Sequence, residues 1–238
     1  MTRCHFNFEI TDKGKNMPKV SEEYYEKKRR EIIDAAYRVC IRKPVSAVEM
    51  KDIIAETGYS HGAIYRYYDN MDEILHDLVV TVNSENSIKE RLDAIIQNAD
   101  TDKWEQTIYR IFEMLAKQMR EVGTDVLKLS IYSDVLAMSD PERTERIVQK
   151  LGKDEQSPLL YLAQSMNVFL KKIVKEYKLK PKRKTDEIIQ FIIASYHGIS
   201  NGYVLSECFR ADHVKGKYKP ELMFSCLADS VIAILKGE

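Results

Sequence analysis

Nine glycines and six prolines in 238 residues leave little material for turns. That scarcity counts against a turn-rich β architecture and favours helices. An excess of charge of one sign is also missing: 37 Lys and Arg balance 37 Asp and Glu, for a net charge of zero. No global field draws such a chain to a polyanion, so nucleic-acid contact has to come from local placement of charge. No uninterrupted apolar run reaches the roughly 18 residues of a membrane helix. The first sixteen residues lack the apolar core of a signal peptide, so a cytoplasmic location and no membrane partner are expected. Cys4, Cys40, Cys208 and Cys226 have no metal-ligand spacing, which predicts free thiols and no metal. His5, His61, His76, His197 and His213 are scattered, and neither a nucleophile elbow nor a Gly-rich phosphate loop occurs. No catalytic residues, no cofactor and no enzyme are expected.

What is present is a series of helical periodicities organised around one compact stretch, Ser46 to Tyr68, SAVEMKDIIAETGYSHGAIYRYY. Val48, Ile53 and Ile54 mark a first helix, with Ser46 a candidate cap. Gly58 supplies the positive φ that a sharp interhelical turn needs. Ser60 stands at the N-cap of a second helix, His61 to Tyr68. Gly62 and Ala63 near its start permit close approach to another surface, and His61, Tyr65, Arg66 and Tyr67 supply donors suited to phosphates and base edges. A recognition helix of a helix-turn-helix is built this way, with its N-terminal residues entering the major groove.

The run T-G-Y-S-H-G-A-I-Y-R-Y-Y followed by D-N-M-D-E-I-L resembles the DNA-binding signature of the TetR (tetracycline-repressor-like) regulators. Gly58, Ser60, Gly62, Tyr65 and Tyr67 fall on the family pattern A-G-V-S-x-G-x-L-Y-x-Y-F without a gap. The likeness is sharp from about Lys28 to Val80 and architectural beyond. It implies a homodimeric transcriptional repressor that binds a near-palindromic double-stranded DNA operator and is released by a small-molecule effector. Ser46, Lys51, Ser60, His61, Gly62, Ala63, Tyr65, Arg66 and Tyr67 are the implied DNA-binding residues. The chain departs from the family at Val48 and Glu49, where threonines are common, and at Met71, where a phosphate-binding lysine is common. Those departures keep open an alternative: an all-helical interaction protein of the same fold that has lost DNA binding.

The rest of the chain reads as helices. Apolar positions recur over Glu22–Ile41, with Ser21 a candidate cap, and the basic cluster Lys27–Arg30 is either a phosphate contact or a solvated face. Helices are expected at Met71–Val82, capped by Asp69 or Asn70, and at Lys103–Val122, ended by Gly123. Five more are expected at Asp125–Met138, Glu142–Leu151, Leu159–Tyr177, Thr185–Phe209 and Pro220–Lys236. The fold class is all-α: an N-terminal three-helix DNA-binding domain joined by a connecting helix to a helical ligand-binding and dimerisation domain. Residues 1–21 form an irregular arm, 22–85 the DNA-binding domain with its motif at about 47–68, and 86–238 the effector and dimer domain. Met17 is an alternative start.

By the same resemblance, Trp104, Phe112, Met119, Tyr132, Tyr161, Met166, Phe169 and Tyr196 lie on helices that surround an effector pocket. Aromatic and Met side chains suit a concave apolar site. The last two helices are apolar on more than one face, and a face left over needs a partner. Ile192, Tyr196, Ile199, Gly202, Leu227, Val231 and Ile234 are the expected dimer interface. Gly198 and Gly202, each costing about 1 kcal/mol in a helix interior, would be justified by close contact there.

Overall fold

The computed structural model describes residues 22–101, 103–152, 155–208 and 218–238. The arm 1–21, with Cys4, Met17 and Ser21, lies outside the described residues. Among the described residues ten α-helices follow in order: α1 (Glu22–Cys40), α2 (Met50–Thr57), α3 (His61–Ile64), α4 (Met71–Glu85), α5 (Lys89–Gln97), α6 (Trp104–Ser139), α7 (Pro141–Val148), α8 (Pro158–Glu176), α9 (Thr185–Cys208) and α10 (Pro220–Lys236). Among the described residues there is no strand, and no helix is long and apolar enough to cross a membrane.

Local chemistry sets the breaks. Asn70 caps α4 by accepting from Glu73 N at 3.1 Å. Asp140 caps α7, Ser157 caps α8, and a proline occupies the first helical turn of each, where its missing N–H costs nothing. The two helices expected on either side of Gly123 are present as the two segments of α6, which meet at a kink there. Gly123 sits at φ 75° and ψ 169°, a conformation a residue with a Cβ rarely takes, and helical bonding resumes beyond it.

Two apolar cores result. One joins α1 to α4 through Ile32, Ala36, Ile53, Ile64, Tyr68, Ile74 and Leu78. The other joins α5, α6, α8, α9 and α10 through Leu92, Ile111, Phe112, Met166, Phe169, Ile192 and Val231. Leu129 and Leu136 of α6 and Ile147 of α7 belong to the first core, so one face of the far segment of α6 and of α7 packs on the N-terminal helices. Polar links reinforce that seam: Arg143 Nε donates to Asp72 Oδ1 at 2.7 Å, and His76 Nδ1 donates to Ile147 O at 2.6 Å.

Candidate nucleic-acid interface and cavity

The cap of α2 is Glu49. It forms a capping box with Asp52, whose carboxylate accepts from Glu49 N at 2.8 Å. Ser46 lies instead in a single 3-10 turn, Val45–Ala47, and is exposed, which corrects its expected capping role. Gly58 ends α2 at φ 68°, donating to Ile54 O at 3.0 Å, as its place in the motif predicts. Lys28 of α1 donates to Tyr59 Oη at 2.7 Å and to Glu31 at 2.8 Å, so α1 fixes the turn.

α3 is one turn shorter than the sequence suggests. It stops at Ile64, and residues 65–67 form a turn closed by Tyr67 N donating to Ile64 O at 2.9 Å. The reason lies in the neighbours. Ile64 and Tyr68 are buried anchors on either side of that turn. Tyr68 Oη donates to Asp77 Oδ2 of α4 at 2.8 Å, while the Arg29 guanidinium stacks 4.5 Å from the Tyr68 ring centre and pairs with Asp77. Arg29 Nη1 also donates to Tyr67 O at 3.3 Å. The basic cluster of α1 is therefore partly internal: Lys28 and Arg29 hold the motif together.

This frame leaves an outward ridge. Ser60, His61, Gly62, Tyr65 and Arg66 are exposed, and His61 stacks on Tyr65 with ring centres 4.5 Å apart. Ser60 takes the N-cap position but its hydroxyl makes no cap bond. A Cβ built on Gly62 would meet nothing within 4 Å, so the backbone there faces open space. Ala63 is half-buried, and half-buried Tyr67 leans on Tyr25 with ring centres 4.9 Å apart. Lys51 is exposed and pairs with Glu49 at 2.7 Å. Val48 and Met71, where the family pattern often carries phosphate ligands, are buried and serve packing.

A cavity of about 560 Å³ opens between α4, both segments of α6 around Gly123, α7, α8 and α9. Its volume suits a drug-sized molecule. Of the eight residues expected around an effector, Tyr196 alone lines it. Trp104, Phe112, Met119, Met166 and Phe169 are buried in the second core, Tyr132 packs against the first, and Tyr161 turns away to donate to Asp93 at 2.6 Å. The cavity is walled by other apolar residues, among them Leu115, Leu127, Ile131, Leu162 and Ile193, with a few polar side chains between them. Asn83, Ser130, Ser133, Asp134, His197 and Ser200 line it, and none is among the eight expected effector residues. The available signal was polar residues interrupting helices that are otherwise apolar on several faces.

Most of the expected dimer residues pack within the single chain. Ile192, Ile199, Leu227 and Val231 are buried inside the single chain, Ile234 packs on its core, and Tyr196 leans on Phe224 at 6.0 Å. A Cβ on Gly202 would meet the Tyr218 ring of the same chain at 2.8 Å, so that close approach is internal. The most apolar stripe of each helix faces its own domain. Outward instead stand Phe191, Ala194, Gly198 and Leu205 of α9, at heptad-like spacing, and Leu222, Met223 and Cys226 of α10.

An exposed ridge on a braced helix-turn-helix thus stands next to a helical domain with a cavity. The family described as bacterial regulatory proteins, tetR family, matches residues 32–78, spanning the motif. The helix-turn-helix-type transcriptional regulator YfiR of Bacillus subtilis (strain 168) is 22% identical over 195 residues, covering 82% of this chain and 89% of the relative. Solved structures share the fold. Salmonella enterica GusR aligns with a TM-score of 0.57 and 13% identity over 92% of this chain and 99% of its own. FadR of Bacillus subtilis, solved in complex with stearoyl-CoA, aligns with a TM-score of 0.58 and 17% identity over 88% and 98%. Residues 32–78 thus match the tetR family of bacterial regulatory proteins, and the chain as a whole shares the fold of solved TetR-family regulators.

Proposed function

We propose that the chain is a cytoplasmic, homodimeric repressor that binds rather than transforms its ligands. Two α3 ridges read the half-sites of a near-palindromic operator, and a small molecule in the cavity lowers DNA affinity. Ser60, His61, Gly62, Tyr65 and Arg66 meet DNA, joined by Ser46, Lys51, Ala63 and Tyr67 at the edges. The dimer forms through the outward face of α9 and α10.

The observation that carries this reading is the double role of α4. Its second half lines the cavity with Val79, Val82 and Asn83. Its first half holds the recognition turn through Asp77, and α7 through Asp72 and His76. A ligand that displaces one end of this rod alters the spacing of the two ridges. It shifts the equilibrium only by its differential affinity for the two conformers. FadR of Bacillus subtilis, which shares the fold, holds stearoyl-CoA in its solved complex, and that supports a ligand-binding role for the helical domain.

The test is fluorescence anisotropy on fragments flanking the chain's own gene. Saturable binding, lost in Tyr65→Ala with the melting temperature unchanged, supports the reading. Unchanged affinity in Tyr65→Ala and Arg66→Ala together removes the ridge from the interface.

A further inference from the structure

The charge inside the cavity narrows what it takes. Among the described residues its lining contains no lysine and no arginine. The side chains there that can carry charge near neutral pH are Asp134 of α6 and His197 of α9. Leu115, Leu127, Ile131, Leu162 and Ile193 supply apolar wall. An anionic head placed here would lose water and gain no lysine or arginine partner among the described lining residues, a cost of several kcal/mol for an unpaired buried charge.

The polar atoms lean the other way. Gln118, only 7% exposed, donates through Nε2 to Asn86 O at 3.2 Å, which fixes its amide orientation, and its Oε1 has no protein partner. An unmatched buried acceptor calls for a donor. Asp134 stands at the mouth with its side chain 52% exposed, 3.6 Å from His197 Nδ1. That gap is too long for a hydrogen bond, so the carboxylate keeps accepting capacity. Partial loss of water pushes the Asp134 carboxyl pKa up, and His197 opposes this. A second cation at the mouth would relieve the same penalty.

We infer that the cavity recognises an apolar organic amine in its protonated form, with the ammonium at Asp134 and the apolar body between α6, α8 and α9. Gln118 Oε1 accepts from a further donor on the ligand where one is present. The inference rests on the effector reading of the cavity but concerns the class of ligand, not its effect on DNA.

Three probes of equal chain length separate the classes: decylammonium, 1-decanol and decanoate, each below its micelle concentration, titrated calorimetrically into the intact chain. Decylammonium should bind at least tenfold tighter than decanoate. Asp134→Asn, nearly isosteric and at a partly solvated position, should weaken decylammonium about tenfold and leave decanol unchanged. Decanoate binding as tightly as decylammonium, an amine-to-alcohol ratio that Asp134→Asn does not change, or no binding by any of the three overturns the inference. Amine binding that leaves DNA affinity unaltered upholds the ligand class and overturns the effector reading instead.

Discussion

Replacing Asp77 by alanine removes the acceptor that Tyr68 and Arg29 share, and with it the tie between α1, the recognition turn and α4. The cost can be worked from burial. Tyr68 is 1% exposed, so its hydroxyl loses its protein acceptor in a place water does not reach freely. An orphaned buried donor costs about 1–3 kcal/mol. Arg29 keeps 30% of its side chain in solvent and rehydrates, so its lost pair adds only about 0.2–1 kcal/mol. Asp77→Ala should therefore destabilise the N-terminal core by roughly 1–4 kcal/mol. Tyr68→Phe leaves Asp77 paired with Arg29 and should cost only about 0.5–1.5 kcal/mol. The double variant has no orphaned hydroxyl, so its cost should fall short of the sum by about 1 kcal/mol. Hydrogen exchange of the α1 and α4 amides reads this local stability in the intact chain. A loss below about 0.5 kcal/mol in Asp77→Ala, or a strictly additive cycle, would refute the reasoning.

Other consequences are as direct. Leu205, 63% exposed on the outward face of α9, should tolerate glutamate in the monomer but not in the dimer. Leu205→Glu should sediment as a folded monomer and lose about 10²–10⁴ in operator affinity; a variant that stays dimeric removes this face from the interface. Burial raises the Cys40 thiol pKa from 9.0 to about 11. The folded state then holds its proton more tightly than the unfolded one, so this contribution is complete below about pH 9 and lost as pH rises toward 11. Between those values the stability of wild type should fall more than that of Cys40→Ala, and parallel curves would contradict it. Trp104 is core, with Lys236 Nζ 5.9 Å from its ring, and lies outside the cavity. Ligand binding should leave its emission unchanged, and strong quenching would place the ligand elsewhere.

The helix-turn-helix was legible because its signals are local. Gly58 needs a left-handed φ, and the spacing from Gly58 to Tyr67 is read directly from the chain. The length of α3 was not legible: Tyr68 is held by Arg29 and Asp77, which come from α1 and α4 and carry no local mark. The same holds for Lys28, whose partner Tyr59 lies a helix away. The cavity was misread for a different reason. Hydrophobicity shows which residues leave water but not whether they fill space or border it, and Phe112, Met119 and Phe169 fill it. On α9 and α10 the periodicity identified apolar surface in excess, while the phase of each helix against its own domain required the packed fold.

The central claim is that two α3 ridges of one dimer read two half-sites. The direct measurement is footprinting of the intact chain on DNA flanking its own gene, across a series of salt concentrations. Two protected half-sites should appear, about one helical turn or a multiple apart, with log K falling steeply against log salt as phosphate contacts are lost. A single protected half-site, or affinity indifferent to salt, would contradict it.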